Sequence, residues 1–420
     1  MAEARMSHSN PVTIDEVVTT VIMARVTDYF GFFVYAIASA LVFPELFFPT
    51  FDPVSGIILS FGVFSLAFLA RPVASLMARW VETKIGRAGK IILALMIFGS
   101  STVAIGMLPG YNSIGWIAPA LLIIFRILQG IGLGGGWDGF TLQLKSAAPK
   151  GREGLYGIVP QLGGPIGFCI AASLFFVLTG FLTEKEFIEW GWRFAFFGVM
   201  AVNVVSLFAR LRLLSADFGA ASETISKSAP FLDMLRTQWR PIMLSTLMPL
   251  ASYALFNMVT VFPLGYTVVH EGQPISDVLL TQMAGGALAI FSVIGSGLLA
   301  DRFGQRWVLW MSTGLITLLC PTIYWLDTHP AVYILFGFLL LGFAHGQASA
   351  IVADRFPPEY RYSGSALSNN LSWICGAAFA PLVGFVLAFE FGLWAAALYL
   401  LSGVLVTGLT LYILQSRERA

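Results

Sequence analysis

The sequence predicts an all-α membrane protein with twelve transmembrane helices in two pseudo-symmetric six-helix bundles. Three observations predict it: apolar runs of spanning length recur along the chain, basic residues gather in every second connection, and a loop pattern returns half-way along. Hydrophobic residues make up 57% of the 420 and charged residues only 11%, against about a quarter charged in soluble domains. A soluble protein hides its apolar residues in short amphipathic faces, whereas these runs need lipid as their solvent.

In the first half, spans are expected at 18–43, 54–78, 91–109, 116–144, 153–180 and 190–213. In the second half they are expected at 239–268, 277–300, 306–326, 331–354, 361–388 and 392–414. Each is near the ~20 residues that a helix needs to cross hydrocarbon. The segment before the first run carries Asp15 and Glu16 instead of a basic stretch, and no small-residue cleavage site follows, so that run reads as a retained span. The fourth holds a glycine-rich stretch from Gly130 to Gly139, which lets another helix approach closely. The fifth is interrupted by Pro160-Gln161-Leu162-Gly163-Gly164-Pro165, as chains often are where they line a transport path. The longest polar break suits a linker, which gives a first bundle over 1–213, a linker over 214–238 and a second bundle over 239–420.

Orientation follows from the connections. One set carries Arg79, Lys84, Arg87, Lys90, Lys145, Lys150, Arg152, Arg210, Arg212, Lys227, Arg236, Arg240, Arg302, Arg306, Arg355, Arg361, Arg417 and Arg419, whereas the alternate set holds little beyond Lys185 and Arg193. This asymmetry places both termini in the cytoplasm. Trp116, Trp190, Trp192, Trp239 and Trp394 fall near span ends and read as interfacial anchors.

Several classes are excluded. A net charge of +1 and the lack of a basic tract argue against nucleic acid. Cys169, Cys320 and Cys375 each lie in an apolar run with no CxxC or Cys/His grouping, so neither a disulfide framework nor a metal site is expected. HExxH, GxSxG and a P-loop are all absent, which argues against a membrane enzyme. No soluble output domain supports a sensor. No cofactor is expected, and the partners are the lipid bilayer, a small solute and a proton, with the protein a monomer.

The loops repeat. Thr83-Lys84-Ile85-Gly86-Arg87 follows the second span and Asp301-Arg302-Phe303-Gly304-Gln305-Arg306 the eighth; Pro149-Lys150-Gly151-Arg152 follows the fourth and Pro358-Glu359-Tyr360-Arg361 the tenth. At these loops the chain resembles the major facilitator superfamily, whose motif Gly-x-x-x-Asp-Arg-x-Gly-Arg recurs in the two halves. Gly297 to Gly304 is similar to the second copy, whereas in the first copy Thr83 stands in the acid's place and Glu82 sits one position earlier. Within that superfamily it is similar to the metabolite:proton symporters, the group of shikimate, citrate, oxoglutarate and proline/betaine carriers. The stretches that carry this likeness are Asp28-Tyr29-Phe30-Gly31-Phe32-Phe33-Val34-Tyr35, Ala70-Arg71-Pro72, Arg126-Ile127-Leu128-Gln129-Gly130 with Gly134-Gly135, and Phe356 to Gly364. Gly136 and Gly31 replace acids of the family pattern, Asp28 stands for a Glu, and Asp138 adds an acid that the pattern lacks. The resemblance implies a bacterial inner-membrane carrier working by alternating access, with proton-coupled import.

A charge at mid-membrane costs about 2.5–3.5 kcal/mol on insertion scales, so Asp28 and Arg126 stand out. Both fall about ten residues into their spans, near mid-depth at ~1.5 Å per residue. They are expected to meet across a cavity: either Arg126 binds a substrate carboxylate and Asp28 pairs with it or exchanges the proton, or the two form a structural ion pair. Asp138 is either a displaced proton site or a partner for Arg71 or a loop base. Gln129, Gln161, Tyr253, Asn257, Asn369 and Asn370, with Gln347 and Trp373, either line the cavity or hydrogen-bond between helices. His345 either lines the cavity with them, as a group able to titrate near neutral pH, or is a satisfied packing residue, as a lone histidine more often is. Asp301, Arg302 and Arg306, with Asp354, Arg355 and Arg361, fit the family's cytoplasmic gate. The expected function is proton-coupled symport of a mono- or dicarboxylate, the alternatives being a zwitterionic osmolyte carrier or an exporter.

Overall fold

The computed structural model describes residues 14–135, 140–215, 231–270, 274–353 and 355–419. It holds twelve helical segments long and apolar enough to cross a membrane, and no strand occurs among the described residues. The first bundle comprises α1 (Ile14–Leu41), α2 and α3, which share the helical stretch Pro53–Met107 and divide at Gly86, α4 (Ile117–Gly135), α5 (Glu153–Phe181) and α6 (Arg193–Leu211). The second comprises α7 (Trp239–His270), α8 (Ile275–Phe303), α9 (Gln305–Leu326), α10 (Pro330–Val352), α11 (Pro358–Phe391) and α12 (Leu393–Ser416). Twelve crossings among the described residues put the start of α1 and the end of α12 on one face, here called the terminal face; the other is the distal face.

The duplicated loop has a duplicated backbone. Gly86 (φ 75) turns the chain between α2 and α3, and Gly304 (φ 89) does so between α8 and α9. Both lie in the left-handed region, where a residue without Cβ is unstrained. Helix continues on both sides of Gly86 through the basic residues up to Lys90, so the third helix begins well before the expected 91. Hydropathy reports only the part that lipid covers, whereas backbone hydrogen bonding carries the helix beyond it.

Glycines set the spacing inside the first bundle. Gly130 and Gly134 of α4 lie against the α2 backbone at Ala67 and Arg71, where an added Cβ would overlap a carbonyl oxygen. On the distal face Asp52 caps α2 by accepting from the Ser55 N–H at 3.0 Å, and that bond holds its carboxyl below the usual carboxylate range.

Two helices are deformed beside the bundle interface. A 3₁₀ turn, Val159–Leu162, interrupts the fifth span at Pro160, and a π-helical turn, Trp373–Ala378, interrupts α11. The altered register leaves carbonyls outside the regular ladder, and side chains of other helices take them: Asn257 Nδ2 donates to Ala377 O at 2.7 Å and Ser65 Oγ to Ala378 O at 2.6 Å.

Between the bundles, the distal half is closed by aromatic contacts. Phe33 stacks on Phe256 at 5.4 Å, Phe168 meets Phe338 at 5.0 Å and Phe61 meets Phe385 at 6.0 Å. Trp192, expected as an interfacial anchor, is instead fully buried against Phe43 and Phe196. Trp116, Trp190, Trp239 and Trp394 are exposed. The expected linker lies mostly outside the described residues. Its last part forms a short helix, Phe231–Thr237, whose Met234 is buried with Ile242 and Phe356 of the second bundle.

Candidate functional site

A cavity of ≈ 70 Å³ lies between the bundles on the terminal side of the aromatic layer. The first bundle contributes Asp28 and Arg25 from α1, Arg71 from α2 and Gln161 from the fifth span. Arg210, at the terminal end of α6, also reaches it. The second contributes Tyr253, His345, Ser349, Asn369, Asn370 and Trp373.

Asp28 is pinned within the first bundle. Its Oδ1 accepts from Arg210 Nη2 at 2.7 Å and its Oδ2 from Arg25 Nη1 at 3.4 Å, while the same Arg210 nitrogen donates to Ala24 O at 3.1 Å. Arg210 is buried, so a charge counted among the loop bases in the sequence belongs to the cavity wall.

Arg71 differs from both. Close packing of Gly134 on its backbone fixes where its side chain starts, and its guanidinium carbon sits 5.3 Å from the Trp373 ring. Its Nε is buried without a hydrogen-bond partner, and among the described residues no carboxylate lies within ion-pair distance of it. The described lining therefore holds three guanidinium groups, of Arg25, Arg71 and Arg210, against the one carboxylate of Asp28.

The polar groups opposite make bonds within and across the bundles. Tyr253 donates its hydroxyl to Asn369 Oδ1, and Asn370 Nδ2 donates to Ser75 Oγ at 2.7 Å. Gln161 accepts from the Tyr29 hydroxyl at 3.4 Å and donates to Ser349 Oγ. His345 packs edge-on to Tyr253 at 5.1 Å and lies near Phe256 at 5.2 Å, but its buried Nδ1 has no partner, contrary to the expectation of a satisfied histidine.

Of the residues expected to bind substrate, the structure brings Asp28, Gln161, Tyr253, Asn369 and Asn370 to this cavity. It does not bring Arg126 to Asp28. Arg126 is 1% exposed and faces away, with Nε and Nη2 donating to Phe64 O at 3.1 Å and Nη1 to Gln129 Oε1 at 3.0 Å. Its guanidinium lies 3.7 Å above the Tyr35 ring, and Gln129 passes the chain of bonds on to Thr102 at 2.7 Å. Equal depth in two helices does not imply a shared face; rotation about the helix axis separates these two charges. Asn257 likewise serves the π-helical turn and not the cavity. Asp138 and Asp354 lie outside the described residues. Sequence reasoning missed Arg25 and Arg210 as cavity groups, although Arg210 stands inside the expected sixth span, where an ionisable side chain is itself a signal.

The terminal face carries a second set of contacts between bundles. Asp301, at the end of α8, accepts from the backbone N–H groups of Gly154 at 2.6 Å and Leu155 at 3.2 Å, in the first turn of α5. Lys145 donates to Ala350 O at 3.0 Å. Arg302 lies over Phe303, Arg306 and Arg355 are half-buried nearby, and Arg361 is exposed. Among the described residues the first copy of the motif forms no such cap: Thr83 donates to Trp80 O of its own helix at 2.7 Å and Glu82 pairs with Lys90 at 2.6 Å.

The profile of the Major Facilitator Superfamily matches residues 21–370 and 279–420. The chain belongs to that superfamily. As such it is a multi-pass membrane transporter and not an enzyme. It is 35% identical to the inner membrane metabolite transport protein YhjE of Escherichia coli K12, across 94% of this chain and 92% of that protein. It is 29% identical to the shikimate transporter of the same organism, across 94% and 93%. In fold it is similar to the crystal structure of a D-xylose-proton symporter, with a TM-score of 0.69 at 14% identity over 94% of this chain and 97% of that one.

Proposed function

We propose that this transporter carries a small organic anion, a mono- or dicarboxylate, together with a proton across the inner membrane, both termini lying in the cytoplasm. The observation that carries the reading is Arg71, a guanidinium in the cavity between the bundles with no carboxylate against it among the described residues. A cation in such a place favours an anionic ligand, and the planar fork of arginine suits a carboxylate. Arg71 thereby takes the role that the sequence suggested for Arg126.

A zwitterionic osmolyte fits less well. Its cationic group would meet three guanidinium groups in the described lining with only the Asp28 carboxylate to offset them. Asp28 instead suits proton exchange, since protonating it loosens Arg25 and Arg210 and alters the charge that the substrate meets. Charges at the terminal face act as a gate, with the Asp301 carboxylate at the positive end of α5 holding that side closed.

The test is uptake of labelled acids into proteoliposomes under an imposed pH gradient, acid outside. Accumulation of a carboxylate that collapses when the gradient is dissipated is expected, with Arg71→Ala weakening apparent affinity at least about tenfold and Arg71→Lys less. Accumulation of zwitterions alone, or of nothing, refutes the reading.

A further inference from the structure

We propose that Ser65 and Ser75 of α2 are paired latches, one for each side of the membrane, that set the balance between the distal-open and terminal-open states of the transporter. The inference needs no statement about the solute, so it stands or falls apart from the anion reading above.

The two serines lie on one antiparallel seam between the bundles. Along α2 and α11, Phe61 meets Phe385 at 6.0 Å, Ser65 Oγ donates to Ala378 O at 2.6 Å, Phe68 stacks on Trp373 at 5.7 Å, and Ser75 Oγ accepts from Asn370 Nδ2 at 2.7 Å. Ten residues separate the serines, ~15 Å along a helix, and the Phe68–Trp373 stack falls between them. An apolar contact is non-directional and survives a tilt of one helix on the other, whereas a hydrogen bond weakens steeply with length and angle. Tilting the bundles apart on the distal side about this stack therefore breaks the Ser65–Ala378 bond and spares the Ser75–Asn370 bond. Tilting them apart on the terminal side does the reverse. Both bonds are present together here, where aromatic contacts close the distal half and Asp301 joins the bundles at the terminal face.

Each serine can release its partner without being left unpaired. Ser65 Oγ also lies 2.9 Å from Phe61 O, and Ser75 Oγ 3.1 Å from Arg71 O, in both cases the carbonyl four residues earlier in α2 itself. When α11 moves off, the hydroxyl keeps a partner in its own helix, so opening strands no serine. The partner of Ser65 is equally particular. Ala378 ends the π-helical turn of α11, and the preceding carbonyl of that turn, Ala377 O, is held by Asn257 of the same bundle. Asn257 travels with α11 when the bundles part, whereas Ser65 stays behind.

The test is hydrogen–deuterium exchange of the purified full-length protein without substrate, read at two segments. Glu153–Ile158 reports the terminal face, because its first N–H groups bond Asp301. Phe262–His270 of α7 reports the distal half, because its Gly265 packs against Phe61 of α2. Ser65→Ala is expected to speed exchange in Phe262–His270 by about twofold to tenfold, the effect of losing one hydrogen bond of ordinary strength, without speeding it in Glu153–Ile158. Ser75→Ala is expected to give the opposite pattern. Asn257→Ala, which strands the neighbouring carbonyl but removes no contact between bundles, is expected to lower the melting temperature with no one-sided change. Faster exchange at both segments in either serine variant is what a loosened core gives, and it overturns the inference. So does unchanged exchange, a pattern crossed the other way, or the Ser65→Ala pattern reproduced by Asn257→Ala.

Discussion

Asp301 and Gly154 join the two bundles at the terminal face: the carboxylate at the end of α8 accepts from the backbone N–H at the start of α5 at 2.6 Å. The acid meets donors that a helix cannot satisfy itself, at the positive end of its dipole. Such charge-assisted bonds contribute roughly 1.5–3 kcal/mol, which moves a two-state equilibrium by about tenfold to a hundredfold. Asp301→Asn is therefore expected to shift the protein toward a state open at the terminal face. Labelling of a cysteine placed at Asn369 by an impermeant maleimide from that side should speed up, and net uptake should fall. Unchanged labelling together with unchanged turnover would remove Asp301 from the gate.

The other copy of the motif behaves differently. Glu82 is paired at 2.6 Å with Lys90, which is only 4% exposed, and the pair stays within the first bundle. Glu82→Gln strands a buried cation and should cost about 1–3 kcal/mol of stability. Because no contact between bundles is lost, turnover per folded molecule should stay at the wild-type level. The measurement is a melting curve alongside counterflow; a stable Glu82→Gln protein with altered turnover would show that Glu82 substitutes for the acid missing at Thr83.

For Arg126 the expectation is structural. Its Nε, Nη1 and Nη2 each donate to Phe64 O or Gln129, and its face lies on Tyr35. Arg126→Leu should lower the melting temperature clearly, since a buried carbonyl and amide lose their partners at about 1–3 kcal/mol each. Substrate affinity of the folded fraction should be unchanged. A selective loss of affinity without loss of stability would return Arg126 to the binding site.

These contrasts mark what the sequence carries. Hydropathy and the alternation of basic connections reveal the spans because lipid imposes one length and one composition on each of them. The repeated loop is legible down to its glycines, since Gly86 and Gly304 both need positive φ. What stays illegible is rotation about each helix axis. Depth is read by counting residues, but whether Arg126 or Arg71 faces the cavity depends on close approaches such as Gly134 on Arg71, which no single helix encodes. The unpaired nitrogen of His345 is hidden for a related reason: its neighbours come from α7 and α11, and whether they offer a partner is settled only by packing.

Asp28 tests the proposed proton coupling. Its carboxylate is 17% exposed, lines the cavity and sits between Arg25 and Arg210. Asp28→Asn removes the exchangeable proton but keeps an oxygen for Arg210. Exchange of substrate at equal concentrations needs no net proton movement, so counterflow should persist, slowed by the uncompensated arginines. Accumulation against a gradient does need it, so uptake driven by the imposed pH difference should disappear, and the external-pH dependence of transport should flatten. Gradient-driven accumulation at wild-type level in Asp28→Asn would place the coupling proton elsewhere.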